Sequence, residues 1–545
     1  MKKIYLFLIV SLLMSGFSGF AGTNYYFFVQ FKNKNNTPYS LSNPSAYLSA
    51  RAIARRADFG ISCDSTDLPV NPAYINQIST LGITVHSKSK WMNGITVRLT
   101  DDSSMISMVR MLSTVKKVQY TGKIVTTSNV KRGVKFQADS LNYGSAVTQV
   151  NQLNIKSIHN EGYMGQGMLV GVMDAGFSNV NINPGFDSLR LQGRLLGTKD
   201  IYLSGNNVYA EDAHGANVLS IITGNLPGKF LGMAPKASFW LIRTEFAPTE
   251  NLFETDFWVS GIEFADSVGV DVVNSSLGYT QFDDVSMNYT YADMNGQVSR
   301  ASKAATMAAN KGIVVCNSAG NDGAKTWHYI GAPADANGIF AVGAVTGTGI
   351  ASSFTSFGPT SDNRVKPDVC AMGTATALIN TSGLASAGNG TSYSSPVMTG
   401  ALTCLLQKYK NSRPAPYNLA TFRNAVIMSS SLYQNPTAQL GYGIPDIDKA
   451  AKILLSLEGF SNHVSNSDIC QISYAENMLN IAKNNAFFGE TVRLVIYDAL
   501  GRQVHSALLT DNIQQISCED FTRGVYIVML GNGQETQTYK FLKAN

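Results

Sequence analysis

Four polar residues stand where apolar runs begin or end: Asp174 after "MLVGVM", His214 ahead of "GANVLSIITG", Asn321 after "VVCNSAG", and Ser392 in "GNGTSYSSPVMTG". A serine hydroxyl becomes a nucleophile when an imidazole takes its proton. The imidazole keeps the required tautomer when a carboxylate holds its other nitrogen, and an amide can donate to the oxyanion that forms. Asp, His, Asn and Ser are therefore the parts of an acyl-transfer site. Each alone has a plainer reading. Asp174 can cap the turn that follows it, a lone His is commonly structural, Asn stabilises turns through its own backbone, and Ser and Gly before a helix are ordinary capping chemistry.

The elements that must position these residues are legible as patterns. "MLVGVMD", "ASFWLIRT", "VDVVNSSLG", "GIVVCNSAGN" and "GIFAVGAV" are near-continuous apolar runs, as strands buried on both faces require. They alternate with amphipathic stretches such as "FETDFWVSGIEFADSVG" and "SRASKAATMAANKG". The pattern predicts an α/β unit over 146–456, a parallel sheet flanked by helices, with function at the carboxyl ends of the strands. Val218, Leu219 and Ile222 put His214 at the first turn of a buried helix, and Gly215 lets a substrate or a neighbouring chain approach. Pro396 reads as a first-turn residue. Ser392 is then expected just ahead of a helix N-terminus, where free N–H groups favour a developing negative charge.

Taken together, "GVMDAGF", "HGANVLSIITG", "NSSLG", "SAGN" and "GTSYSSP", in this order and with "KPDV" and "GYG", resemble the subtilases, the subtilisin-like serine proteases. The resemblance implies a subtilisin-like fold and an acyl-enzyme mechanism. Ser392 would be the nucleophile, His214 the general base and then acid, and Asp174 the group that holds the imidazole. Asn321 would donate to the oxyanion with the backbone N–H of Ser392. Ser275, Ser276, Leu277 and Gly278 would pair with an extended polypeptide substrate, and Ser394 and Ser395 would be structural. Ala216 and Asn217 depart from the family's Thr-His, Tyr393 and Ser394 from Met-Ala, and Val397 from His, which bears on the rim of the pocket. The chemistry requires no cofactor, and no metal site is expected. Structural calcium is compatible with the family but not assignable to residues here.

The flanks extend the resemblance. Lys2 and Lys3, an apolar run and a small-residue cleavage site read as a signal peptide over 1–21. Residues 22–145, with "LSARAIARRADFGI" and "SKWMNGITVRL", resemble the N-terminal propeptides of Bacteroidetes-type subtilases, a small α+β unit acting as intramolecular inhibitor. A polar linker over 457–468 precedes a small all-β sandwich over 469–545. "VRLVIYDALGRQV" and "RGVYIVML" there resemble the type A C-terminal sorting domain of the type IX secretion system, whose machinery would be a partner. A carbohydrate- or surface-binding β-module is the other reading of this tail.

Composition narrows the field. The chain is 44% hydrophobic and 14% charged, with a formal net charge of +5 and no basic stripe interleaved with aromatics, so nucleic acid is not an expected partner. No stretch beyond the signal peptide is long and apolar enough for a transmembrane segment. The charge is unevenly placed: residues 22–145 carry +9, and the chain beyond Ser145 carries −6. The basic segment either docks on an acidic partner surface or is a solvated face. Cys470 and Cys518 share the C-terminal segment and could pair in an oxidising compartment. The leading expectation is an exported serine endopeptidase, secreted or surface-attached and autoprocessed from a proenzyme. Two alternatives stay open: a catalytically silent peptide-binding protein of the same fold, and an adhesin working through its C-terminal module.

Overall fold

The structure, a computed structural model, describes residues 23–125, 142–210, 212–456, 469–475, 477–483, 491–532 and 536–543. The expected signal peptide and linker lie outside the described residues.

Strands that are apolar at every position need cover on both faces, and the middle of the chain supplies it. Seven strands stand in the order Val369–Met372, Phe340–Val345, Val314–Ser318, Val272–Ser275, Leu169–Asp174, Ser238–Arg243 and Leu195–Asp200. Every neighbouring pair is parallel. The chain enters this sheet at Leu169–Asp174, steps out to the edge strand Leu195–Asp200, returns to insert Ser238–Arg243 between the two, then crosses to Val272–Ser275 and builds outward on the other side. This reversal of direction opens a crevice at the carboxyl ends of those two adjacent strands, where Asp174 and Ser275 lie. Helices His214–Thr223, Thr391–Ser412, Leu419–Ser429 and Ile447–Ser456 cover one face, where Val172, Leu241 and Val342 pack with Leu219, Leu402 and Val426. Helices Leu252–Val268 and Arg300–Asn310 cover the other, where Met173, Ile242 and Val273 meet Phe257 and Ala304.

The N-terminal unit is an antiparallel sheet in which Thr23–Phe31 pairs with Gly94–Thr100 and Val115–Val125, with Thr84–Ser89 at one edge. Strand alternation divides its faces. Phe27, Val29 and Phe31 fill the unit's own core with Ile78, Val97 and Val109. Tyr26 points the other way and joins the core of the large unit, its ring 4.4 Å from that of Phe253.

The basic segment does dock on an acidic surface. Its helix, Ala50–Asp58, is capped by the Ser49 side chain, which accepts from the Ala52 N–H at 3.1 Å. It lies against Leu252–Val268. Asp266 on that long helix takes Arg55 at 2.5 Å, Arg56 at 2.9 Å and Lys90 at 2.8 Å. Arg51 pairs with Asp271. Glu263 accepts from the Ser89 hydroxyl at 2.6 Å and from the N–H groups of Lys90 and Trp91 at 2.7 and 3.0 Å. Arg55 and Arg56 are each only 2% exposed and belong to the docked surface, whereas Lys32, Lys88, Arg110, Lys116, Lys117 and Lys123 are exposed, so the segment both docks and carries a solvated basic face. Burial alone would raise the Asp266 carboxyl, but Lys90, Arg55 and Arg56 hold it well below the usual carboxylate range.

The C-terminal unit stacks two antiparallel sheets. One holds Cys470–Ala475, Met478–Lys483 and Ile513–Ser517, the other Gln503–Leu509, Val492–Asp498, Gly524–Gly531 and Thr536–Lys543. Ile472, Leu479 and Ile481 from the first share a core with Leu494, Ile496, Val528 and Phe541 from the second, which makes the sandwich. The Cys470–Cys518 pairing that the sequence left open does not form, and both thiols are free. Cys470 stands opposite Lys483 at one end of the strand Met478–Lys483, and the Cys518 N–H donates to Asn477 at the other. The length of that strand, roughly 17 Å, exceeds the roughly 7 Å between Cα atoms that a disulfide tolerates.

Candidate active site

Asp174 ends its strand fully buried. Its Oδ1 accepts from the Ala175 N–H at 2.8 Å, the capping bond of the plainer reading, and the same carboxylate lies 2.9 and 3.1 Å from His214 Nδ1. Both roles coexist in one carboxylate.

His214 is the first residue of its helix, and its backbone N–H donates to Asp212 at 2.6 Å. A Cβ at position 215 would fall 2.4 Å from the Gly176 carbonyl and 2.8 Å from the Asp174 Cβ. Of the two alternatives, Gly215 thus admits a neighbouring stretch of chain, the end of the Asp174 strand, rather than a substrate. Burial pulls the imidazole toward neutrality, but the charge and hydrogen bond of Asp174, with Asp212 adding, raise it above its ordinary 6.5. Its side chain is 31% exposed, so the outer edge is open to solvent.

Ser392 is the second residue of the helix Thr391–Ser412, not ahead of it, and Pro396 lies in the second turn rather than the first. The displacement has a local cause and a local remedy. Gly390, at φ 152° and ψ 153°, takes a conformation open essentially to glycine alone and so starts the helix directly after itself. Pro396 lacks the N–H that would have bonded the Ser392 carbonyl. The Ser276 hydroxyl donates to that carbonyl at 2.9 Å instead. The Ser392 hydroxyl donates to the Ser276 carbonyl at 3.4 Å, and no hydrogen bond joins it to His214. Contacts of that kind tighten when substrate is bound. Ser394 bonds the Thr391 carbonyl at 3.0 Å and Ser395 the Asn274 side chain at 2.9 Å, both buried.

Asn321 Oδ1 accepts from the Thr391 N–H at 2.8 Å and from its hydroxyl at 3.0 Å. An N–H can only donate, so this fixes the orientation of the amide and turns Nδ2 to the opposite side. A carbon placed where a Cβ of residue 390 would stand is 3.7 Å from the Ser392 N and 3.8 Å from Asn321 Nδ2. Asn321 Oδ1 lies 3.9 Å from the same point, so the Ser392 N–H and the Asn321 amide both border the space over Gly390, at the N-terminus of a long helix, where negative charge is favoured.

The four residues expected to meet an extended chain divide. Ser275 is buried inside the sheet, paired with Met173 on one side and Asn317 on the other, and its hydroxyl accepts from the Trp258 indole at 2.9 Å. It has no edge to offer, and Ser276 is buried as well. The open rim begins at Leu277 and Gly278. Sequence reasoning missed Thr391, which orients Asn321. It also missed Asn274, whose Oδ1 accepts from Ser395 and Thr399 at 2.9 Å and whose Nδ2 donates to Ser276 at 3.1 Å. A buried Asn inside "VDVVNSSLG" was the available signal for the second. Among the described residues, no group of three or more His, Cys, Asp or Glu could hold a metal ion, and no helix is long and apolar enough to cross a membrane.

Three family models match the chain. Residues 165–443 match the subtilase family, 26–137 the peptidase S8 propeptide domain of Bacteroidota, and 475–544 the secretion system C-terminal sorting domain. Subtilisin NAT of Bacillus subtilis subsp. natto is 28% identical over 320 residues, covering 58% of this chain and 72% of that protein. Subtilisin of Bacillus pumilus is 28% identical over the same 58% of this chain and 100% of its own length. The thermostable alkaline protease of Halalkalibacterium halodurans is 23% identical over 60% of this chain and 77% of that protein.

Proposed function

The chain belongs to the subtilase family as a serine endopeptidase with an N-terminal propeptide and a sorting domain for export, and from that premise we propose that Ser392, His214 and Asp174 perform the hydrolysis. His214 takes the proton of the Ser392 hydroxyl as that oxygen attacks the carbonyl of a bound polypeptide. Asp174 holds Nδ1, so that Nε2 is the nitrogen that moves the proton. The oxyanion forms over Gly390, where Asn321 Nδ2 and the Ser392 N–H receive it. His214 then gives its proton to the leaving amine, and water releases the acyl group from Ser392 by the same path. No cofactor enters these steps. Leu277 and Gly278 present main-chain groups to the extended substrate, with Ser275 and Ser276 supporting them from inside the sheet.

The observation that carries this reading is the carboxylate-bound imidazole of His214, with the Asn321 amide and the Ser392 N–H bordering the space over Gly390 at the start of the Ser392 helix. In the same reading the division is 22–145, 146–456 and 469–545. The first unit inhibits until it is cut away, and the third addresses the protein to the secretion machinery, for release or attachment to the cell surface. A fluorophosphonate probe tests the assignment. It is expected to label the mature protein at Ser392 and nowhere else, and labelling at another serine, or none in protein that has shed its propeptide, would overturn it.

A further inference from the structure

One of the positions at which this chain departs from the family pattern, Tyr393, lies beside the reacting groups. Tyr393 follows Ser392 on the same first turn, and its ring centroid is 6.0 Å from that of His214, the planes 31° apart. The ring is held from behind. A Cβ at position 388 would fall 2.4 Å from Tyr393 Cε2 and 3.1 Å from a Leu378 methyl, so only glycine there leaves room for it. The imidazole is thus flanked by Asp174 on its strand, Asp212 before its helix and the Tyr393 ring from the Ser392 helix.

We propose that Tyr393 is a positioning residue for the peptide-bond hydrolysis, its ring backing His214 and favouring the imidazolium that exists only while Ser392 has given up its proton. The face of an aromatic ring attracts a cation within about 6 Å and gains far less from a neutral imidazole. The contact therefore strengthens on the way to the transition state, the condition for lowering a barrier. Gly388 leaves the room that the ring occupies. Burial raises the phenol above its ordinary 10.0, so Tyr393 stays neutral throughout the range in which His214 titrates. This inference rests on the assignment of Ser392 and His214 as nucleophile and base.

The test compares Tyr393→Leu, Tyr393→Phe and Tyr393→Trp in the mature enzyme. Tyr393→Leu is expected to lower kcat by about 3- to 10-fold, to leave KM nearly unchanged, and to move the acid limb of kcat/KM down by about half a pH unit. Tyr393→Phe and Tyr393→Trp keep a ring face and should restore both. Should Tyr393→Leu fail to mature, the His214 titration can be followed by NMR in the full Ser392→Ala chain, with and without Tyr393→Leu, and the same downward displacement is expected. An unmoved limb, or a raised KM at constant kcat, would overturn the proposal by making the ring a wall of the substrate pocket. Equal damage from Tyr393→Phe would overturn it in favour of the hydroxyl. Wild-type protein that takes no fluorophosphonate label would instead defeat the reading of the site itself.

Discussion

The site over Gly390 and the seam against the propeptide both depend on carboxylates of the same unit, set in opposite surroundings. At the site, buried Asp174 holds a single imidazole whose outer edge stays open. At the seam, Asp266 holds Arg55, Arg56 and Lys90, all three with side chains at most 9% exposed. A carboxylate facing an open imidazole can favour a positive charge that comes and goes. One closed in by fixed cations can only hold, and breaking such a buried set costs about 3–5 kcal/mol because charges are left without partners. The same residue type thus stands once beside an open imidazole and once in a closed latch.

The largest change that would break this contrast is Ser392→Ala. Proteolysis and propeptide removal are expected to cease, with a loss of the size found when a subtilisin loses its nucleophile, about 10⁶-fold, while the seam stays intact. Chain that still cuts itself in purified form would show that the working groups lie elsewhere. Next come two changes of similar size with different signatures. Asn321→Ala should lower kcat by about 10²- to 10³-fold with little change in KM, since the donor acts on the oxyanion rather than on the bound substrate. Asp266→Ala should leave turnover of a short peptide alone and release the cleaved propeptide about 10²- to 10³-fold faster, read as the dissociation rate of the autoprocessed complex. If Asp266→Ala slowed turnover and left release unchanged, the division of labour would be wrong.

The pH dependence sharpens the site half of the comparison. His214 must be neutral to accept the Ser392 proton, and Asp174 and Asp212 outweigh burial to raise it above 6.5. Activity is therefore lost as pH falls through that raised value, and the acid limb of kcat/KM should have its midpoint above pH 6.5. A midpoint below that value would mean that burial, not Asp174, dominates the imidazole.

How much of this could be read in the sequence follows from the same contrast. Asp174, His214 and Asn321 could be singled out as polar residues at the edges of apolar runs, but each had a plainer reading alone and only their joint order with Ser392 pointed to one site; the apolar runs implied a parallel sheet covered on both faces, not the order of its strands. The start of the Ser392 helix was not, because "GNGTSYSSP" does not say that Gly390 takes φ 152° and ψ 153° or that Thr391 is held by Asn321, 70 residues earlier. Nor was the withdrawal of Ser275 into the sheet, since "NSSLG" does not say where strand pairing ends. The seam was half legible. A sequence displays the +9 of residues 22–145, but it does not display desolvation, and desolvation turns Arg55 and Arg56 from a screened surface into a latch.

The smallest effect separates two arginines of one helix and gives the finest test of that distinction. Arg51 is 42% exposed in its pair with Asp271, whereas Arg55 is 1% exposed in its pair with Asp266. Exposed pairs contribute little and are screened over about 10 Å at 0.1 M salt, and buried pairs are screened much less. Arg51→Gln should therefore hasten release of the cleaved propeptide by only about 2- to 5-fold, and the difference from wild type should fade as salt is raised toward 1 M. It need not vanish, because Arg51 also donates to the carbonyls of Gly269 and Gly167 at 3.0 and 2.8 Å. Arg55→Gln should act much more strongly and should keep its effect across the same salt series. If both arginines lost their effect together as salt rose, the seam would be an ordinary screened surface, and the contrast between latch and site would not hold.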